Sequence, residues 1–385
     1  MQLGDRHNFG RRVELRGDRI YKPRALLWEW LVLSADSPLR KLLDREAKRD
    51  GLGRDAFGFL PTLKFFRKRG EVERAQLSPL AELSSDERRT LAVIVGRSIA
   101  LWSWLGVADL HWENLVLGRD AHGRIVFGPL DVEMILADLP LPTDTKLLPD
   151  ADPEYAALCQ HAAGVRRVLP YLGKPIEADD LLAIAGAYRA TLAFLDRHAR
   201  AIAGVFASVP GVRETPIRIC LRATEEYVRA TPELWPPLLD AEAEQLARGD
   251  IPYFFRLYGQ RGIRYFGNEA LTQHKRIPLR GDVPQLDPIL RISRGLRAPS
   301  RTTLREEGLF AVLGAFDHPA MAGRHASEEL EVSFGARQIV VKLPGGQELR
   351  SPRDLSDHVA SVYLPCHCGE VRTVFVPAVT ACDAP

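Results

Sequence analysis

Cysteine is scarce in this chain of 385 residues, which contains only Cys159, Cys220, Cys366, Cys368 and Cys382. An odd number of cysteines cannot pair completely, and a chain this long can bury a core without disulfides. We therefore expect reduced thiols and a cytoplasmic protein. The run Cys366-His367-Cys368 lacks the paired spacing typical of zinc sites, which favours ordinary residues over metal ligands there.

Long apolar runs are also missing. The longest, over residues 25–33, is interrupted by Glu29 and is far shorter than the about 18 residues that a membrane-spanning helix needs. The N-terminal segment MQLGDRHNFGRR has no apolar stretch of the kind that a secretory signal requires. Charge is balanced, with 52 Lys and Arg against 50 Asp and Glu. We therefore expect no membrane span and no nucleic-acid partner.

The remaining composition is that of a globular protein, with 46% hydrophobic and 26% charged residues, and the length suggests two or three domains. Alternation over residues 11–15 and 19–22, around Gly17-Asp18, predicts an N-terminal hairpin. Helical spacing over residues 25–33 predicts a helix after it. We interpret residues 41–54 as a charged surface stretch.

The rest of the chain alternates between the two kinds of element. Ser85 begins a predicted helix that ends at Gly106, and residues 115–117 and 125–127 predict two strands around a turn. Further helices are predicted over residues 180–200, 216–229 and 237–248, with a connector over 276–302. Strand-like alternation returns at 330–334 and 338–343. This order predicts the α+β class.

Polar side chains flank the predicted strand pair: Asp109, His111 and Asn114 precede it, and Asp131 and Glu133 follow it. Phosphoryl transfer needs a carboxylate that accepts the hydroxyl proton, and an amide and a second carboxylate that hold magnesium. The spacing favours a kinase site with Asp109 as base. Asn114, Asp131 and Glu133 are then the magnesium ligands, and His111 supports the loop or the phosphate. The alternative is a polar loop with one capping Asp.

A kinase also needs a cation close to the nucleotide phosphates. Lys22 ends the second predicted strand and Glu29 lies on the following helix, an arrangement that suits a nucleotide-binding Lys–Glu pair. A solvated Lys22 is the alternative. Neither G-x-G-x-x-G nor G-x-x-x-x-G-K-[ST] occurs, so the segment from Gly4 to Gly10 is the candidate loop over the nucleotide.

Six segments follow one another over residues 3–255: GDRHNFGR from Gly4, YKPR from Tyr21, DLHWEN from Asp109, LDVE from Leu130, RICLRAT from Arg218 with Tyr227, and GDIPYF from Gly249. In this order they resemble the dehydratase domain of class II (LanM-type) lanthipeptide synthetases. The resemblance implies a bilobal, protein/lipid-kinase-like fold that uses ATP and Mg²⁺. Its enzymes phosphorylate Ser and Thr of a ribosomally made precursor peptide and then eliminate phosphate to give dehydroamino acids.

The resemblance also implies a role for each matched residue. Phosphorylation is assigned to Lys22, Asp109, His111, Asn114, Asp131 and Glu133, and elimination to Asp5, His7, Arg218 and Thr224. A guanidinium can bind a phosphate and neutralise it as a leaving group, so Arg218 and Arg222, four apart on a predicted helix, suit that task. His7 or Asp5 could move the α-proton. The alternative is a pair of surface arginines bound to Glu225 or Glu226.

We expect a kinase-like N-lobe over residues 1–90, a C-lobe with the elimination site over 91–315, and a small β-rich appendix over 316–385. The family's helical region before the first segment and its zinc-bearing cyclase are not matched. The resemblance thus implies a truncated dehydratase that works with a separate cyclase or a leader-binding partner. Two alternatives stay open: a small-molecule or peptide phosphotransferase that acts as a kinase only, and a catalytically inactive peptide-binding scaffold.

Overall fold

The computed structural model describes residues 2–53, 55–137, 141–149, 163–173, 176–221, 227, 238–260, 262–277, 304–317, 321–353, 360–365 and 371–376. These residues combine helices with antiparallel sheets, which confirms the α+β class. Among them, no helix is both long and apolar enough to cross a bilayer.

The N-terminal sheet has five antiparallel strands in the order β1-β2-β3-β5-β4. They are β1 (Gln2–His7), β2 (Arg11–Arg16), β3 (Arg19–Tyr21), β4 (Phe65–Phe66) and β5 (Glu71–Glu73). The predicted hairpin is confirmed, because β2 pairs with β3 and Glu14 lies opposite Tyr21. The segment from Gly4 to Gly10 forms the end of β1 and a tight turn, and its position over a nucleotide stays a prediction.

Two helices follow β3 and bury one face each, α1 (Leu27–Leu33) and α2 (Pro38–Arg49). The helix α1 confirms the helix predicted over residues 25–33. The interpretation of residues 41–54 as a surface stretch is wrong, because α2 is amphipathic. Its Leu39, Leu42 and Leu43 lie in the core and its lysines face outward. The many charged residues in this segment led to the surface interpretation, although its leucines have the spacing of one helical face.

The centre of the core is a pair of long helices, α3 (Ser85–Leu105) and α5 (Ala178–Arg197), with the short α4 (Leu169–Leu172) between them in sequence and α6 (Ala199–Ser208) after them. Ser84 caps α3 reciprocally with Glu87, and Gly106 ends it at a φ of +60°. A Cβ on Gly96 would lie 2.1 Å from the carbonyl oxygen of Ile184, so this glycine permits the close approach of the two helices.

Two further β units frame the candidate site. The predicted strand pair is confirmed as β6 (Leu115–Arg119) and β7 (Ile125–Pro129). The second unit is a four-stranded sheet, order β11-β10-β9-β8, with α7 (Asp240–Ala247) before β9. Its strands are β8 (Pro216–Ile219), β9 (Phe254–Leu257), β10 (Arg264–Phe266) and β11 (His274–Arg276).

The helix predicted over residues 216–229 is wrong at its start, because residues 216–219 form β8. Ile217 and Ile219 are buried while Arg218 between them is only partly buried, which is the two-residue period of a strand. The Nε1 of Trp28 on α1 donates to the carbonyl of Pro216, 2.9 Å away, and so joins the N-terminal helix to this strand.

The C-terminal part has α8 (Glu307–Phe316) and then strands only among the described residues. They are β12 (Gly323–Ala326), β13 (Glu331–Phe334), β14 (Gln338–Lys342), β15 (Glu348–Pro352), β16 (Ala360–Pro365) and β17 (Val371–Val376). The predicted alternation at 330–334 and 338–343 is confirmed by β13 and β14. Cys159, Cys366, Cys368 and Cys382 and most of the predicted connector lie outside the described residues.

Candidate functional site

Lys22 is almost completely buried where β3 gives way to α1. Its Nζ lies 3.5 Å from Oε1 of Glu29 and 3.1 Å from Oδ2 of Asp131, and it also donates to the carbonyl of Leu130 at 3.0 Å. The predicted Lys–Glu pair is thus present, and Asp131 joins it from more than 100 residues away. A buried lysine that keeps its charge needs such carboxylate partners.

Sequence reasoning missed Arg24, which bridges the same acids. Its Nη2 lies 2.7 and 2.8 Å from the two carboxylate oxygens of Asp131, its Nε lies 2.8 Å from Oε2 of Glu133, and its Nη1 pairs with Glu29. Burial disfavours the charged form of this guanidinium, but the neighbouring carboxylates, Asp131 first, have the larger effect and raise the pKa of Arg24 well above its usual value. A basic residue two positions after Lys22 and before the helix that carries Glu29 was the available signal.

Arg218 reaches this group of charges from β8. Its Nη1 donates to Oε1 of Glu133 at 2.5 Å, and its backbone N–H donates to the Glu133 carbonyl at 2.9 Å. Its guanidinium also lies over the ring of Tyr253, 5.6 Å from the ring centre. Glu133 raises the pKa of Arg218 despite burial. Residues predicted for phosphorylation and for elimination therefore touch one another here.

We call Lys22, Arg24, Glu29, Asp131, Glu133 and Arg218 the charge cluster. It holds three cations and three carboxylates, so its formal charge is zero. Burial opposes the ionisation of Asp131, but Arg24 and then Lys22 overcome it, so the pKa of Asp131 lies well below its usual range. Asp131 is therefore ionised at neutral pH, and a divalent ion or a phosphate that binds in the cluster must change an ion pair.

The loop before β6 forms a neighbouring polar group around Asp109. The side-chain amide nitrogen of Asn114 donates to the Asp109 carbonyl at 2.9 Å and faces Oδ2 at 3.3 Å, while Nζ of Lys146 lies 3.3 Å from Oδ1. His111 Nε2 is 4.0 Å from Oδ2. Asp109 has a φ of +63°, a conformation that few residues other than glycine adopt and that aspartate tolerates. Sequence reasoning missed Lys146, which follows a turn 37 residues later.

The two polar groups lie side by side. The N–H of Leu130, next to Asp131, donates to the carbonyl of Asn114 at 3.0 Å. Burial favours the protonated form of Asp109, but the charges of Lys146, His111 and then Arg218 prevail, so the pKa of Asp109 is lowered. Asp109 is thus an ionised hydrogen-bond acceptor at neutral pH, and the charge of Arg218 contributes to the lowering of its pKa.

His7 enters the site from the end of β1, next to the turn that leads to β2. Its Nδ1 lies 2.8 Å from the carbonyl of Ile251, so Nδ1 carries the proton and the lone pair of the neutral ring is on Nε2. Burial, and next the charge of Arg218, lower the pKa of His7, which keeps the ring neutral at pH 7. Asp5, two residues earlier, is exposed and only adds negative charge near His7.

Asp250 holds this turn in place. Asn8, Phe9 and Gly10 all have positive φ, and the N–H groups of Phe9 and Gly10 donate to the two oxygens of Asp250 at 2.7 Å each. Successive N–H groups in such a turn form a concave anion-binding surface. Asp250 lies in the sixth matched segment, but sequence reasoning had assigned it no task.

A magnesium ion could use only part of the predicted ligand set. Carboxylate and amide oxygens are the ligands that Mg²⁺ prefers, so Asp131 and Oδ1 of Asn114 suit it, since the Asn114 nitrogen is bonded to Asp109. At Asp131 the ion would have to replace Arg24. Both oxygens of Glu133 face arginines, so its role as a ligand stays a prediction. No group of three or more His, Cys, Asp or Glu suited to a metal occurs in the part of the chain that the structure describes.

A cavity of about 220 Å³ opens beside the charge cluster. Arg24, Glu133 and Glu214 are the charged residues of its lining, Asn8 contributes a polar side chain, and Tyr253 and Phe266 are among its apolar residues. A larger cavity of about 600 Å³ lies between α3, α5 and residues 326–329, and none of the predicted site residues lines it.

Of the predicted site residues, Arg222 and Thr224 lie outside the described residues. Cys220, next to them in sequence, is a half-buried free thiol whose pKa burial raises. Models of known protein families and curated protein sequences yield no match to this chain.

Proposed function

We propose that this protein is a lanthipeptide-type dehydratase of bilobal kinase-like fold. It would use ATP and Mg²⁺ to phosphorylate Ser and Thr of a ribosomally made precursor peptide and would then eliminate the phosphate. The observation that carries the proposal is the 2.5 Å contact between Arg218 and Glu133 within the charge cluster that also holds Lys22 and Asp131. It joins residues assigned to both half-reactions.

In the phosphorylation step, the ionised Asp109 accepts a hydrogen bond from the substrate hydroxyl and takes its proton as the oxygen attacks the γ-phosphorus of ATP. The bond from that phosphorus to the β-phosphate oxygen breaks, and ADP leaves. Lys22 binds the phosphates. Asn114 and Asp131 would hold Mg²⁺, which when bound neutralises phosphate charge. The β1–β2 turn supports the same site through its attachment to Asp250.

In the elimination step, Nε2 of the neutral His7 takes the α-proton of the phosphorylated residue. The electron pair of that C–H bond forms the Cα=Cβ double bond, and the Cβ–O bond breaks to release phosphate. Arg218 stabilises the charge on the leaving phosphate. The lowered pKa of His7 supports this assignment, because a base must be unprotonated before it acts.

Mass spectrometry of a Ser/Thr-containing candidate precursor peptide, incubated with the protein, ATP and Mg²⁺, tests the proposal. We expect loss of one water per modified residue with the wild type, no change with Asp109→Asn, and accumulation of phosphopeptide with Arg218→Lys. A peptide that gains phosphate but never loses water would refute the lyase half.

A kinase without elimination is the second candidate. It is favoured by the ion pairs of Glu133 with Arg24 and Arg218, because a purely structural ion pair would look the same. In that case Arg218→Lys would leave the amount of phosphorylated product unchanged, and the wild type would yield stable phosphopeptide.

A further inference from the structure

We infer that Arg24 and Arg218 form a binding site for a phosphomonoester, and that Glu133 occupies it until the phosphate displaces its carboxylate. The ligand is the phosphorylated Ser or Thr side chain of the substrate. This identity rests on the proposed function; the anion site itself rests on the contacts of this chain.

Two buried guanidiniums converge on a single carboxylate. Arg24 Nε is 2.8 Å from one oxygen of Glu133, and Arg218 Nη1 is 2.5 Å from the other. Both side chains are at least 84% buried, with exposed fractions of 14% and 16%. A phosphate offers guanidiniums the same kind of anionic oxygen acceptor as a carboxylate, with one more oxygen and a larger charge. It can therefore take over both contacts.

Unsatisfied polar atoms surround this arrangement. The Nε of Arg218 is buried and has no hydrogen-bond partner, and neither has the buried Oδ1 of Asn8, whose side chain lines the cavity. A buried donor without a partner is costly, and a ligand oxygen at Arg218 Nε would remove that cost. Asn8 could accept a hydrogen bond from the ligand's amide group.

The charge balance selects Glu133 as the group that yields. The charge cluster is neutral, so a phosphate dianion can enter only if it displaces a carboxylate. Of the three acids of the cluster, only Glu133 lines the cavity, where Glu214 is the other acidic side chain. Arg218 does not line the cavity and is reached through its contact with Glu133. Its backbone carbonyl is held by the N–H of Arg218, so the side chain can turn away while the main chain stays in place. The cavity of about 220 Å³ is smaller than the roughly 300–1,000 Å³ of sites for drug-sized ligands, and so suits one side chain.

The test measures binding of inorganic phosphate, O-phosphoserine and ADP by calorimetry, without Mg²⁺, to the full chain and two variants. Arg24→Lys keeps the charge but loses the geometry of the guanidinium, and should weaken O-phosphoserine binding about tenfold. Glu133→Gln removes the competing charge and should strengthen it about tenfold. Arg305→Lys is the matched control, because Arg305 holds Asp196 through two nitrogens on the exposed surface and should leave binding unchanged.

Opposite signs in the two variants support the inference, with circular dichroism confirming that both fold. It is overturned if the wild type binds neither phosphate nor O-phosphoserine, if neither variant changes binding, or if Glu133→Gln weakens it. A change confined to ADP assigns the arginines to the nucleotide and also overturns it. The proposed function fails separately: O-phosphoserine could bind as expected while no peptide is dehydrated. Conversely, dehydration with undiminished phosphate release in Arg24→Lys would remove this site and keep the function.

Discussion

Asp250→Asn is the substitution that most directly probes how the site is assembled. Asp250 is 1% exposed and joins the turn at residues 8–10 to the segment before β9. Its Oδ2 accepts the N–H of Phe9, its Oδ1 accepts the N–H of Gly10, and Nε of Arg248 donates to Oδ2, all at 2.7 Å. Each oxygen therefore serves a different backbone donor.

Asparagine can serve only one of those donors, because its amide NH₂ group would face the other N–H. The variant loses one charge-assisted hydrogen bond, worth about 1.5–3 kcal/mol, and leaves a buried N–H without a partner. It also loses the ion pair with Arg248. We expect the free energy of unfolding to fall by about 2–4 kcal/mol. On the proposed function, elimination should slow more than phosphorylation, because His7 borders the loosened turn.

Asp120→Asn is the matched control, since Asp120 also binds two backbone N–H groups and an arginine. Both N–H groups, from His122 and Arg124, reach the same oxygen at 2.9 and 3.0 Å, so an asparagine can keep them. We expect a loss below about 1 kcal/mol at this surface turn. Urea unfolding followed by circular dichroism measures both variants. Equal losses in the two variants would refute the reasoning.

Two further predictions concern stability away from the site. The hydrogen bond from His198 and then that from Arg197 lower the pKa of Asp50 to about 2, so the stability it contributes is complete above pH ~4 and is lost as the pH falls through 2. His198→Ala should raise this pKa in a carboxyl NMR titration, and an unchanged midpoint would contradict the assignment. Gly96→Ala should lower the free energy of unfolding in urea by about 1–3 kcal/mol, because the added Cβ would lie too close to the carbonyl oxygen of Ile184. Gly204→Ala on α6 has open space and should stabilise by about 0.5–1 kcal/mol, and the same sign for both glycines would disprove the packing argument.

Most elements were predictable because their signals are local. Ser84 and Gly106 bound α3 through contacts within one helical turn, and the turn at Gly17 pairs strands that are neighbours in sequence. One prediction failed where tertiary packing decides, because residues 216–219 form a strand by pairing with β9, more than 30 residues later. The error at α2 had a local cause, since the charged residues were counted and the helical spacing of its leucines was overlooked.

The residues of the candidate site also fall into those that the sequence predicted and those that it did not. Motif spacing identified Lys22, Asp109, Asn114 and Asp131, which the structure places in two adjoining polar groups. Arg24 and Lys146 were missed, because isolated basic residues are common in this chain and only their partners distinguish them.

By itself, the amino-acid order determined most of the helices and strands, since periodicity, capping and turn residues act over a few positions. The strand β8 is an exception, because its partner strand lies more than 30 residues away. It also placed the chemistry-bearing side chains at the ends of those segments. Only the tertiary structure decided that Arg24 lies between three acids and that Glu133 is held between two guanidiniums. Those ion pairs join residues from 5 to more than 100 positions apart in the chain. The strength of these ion pairs depends on burial, because burial excludes the water that would otherwise solvate each charge separately.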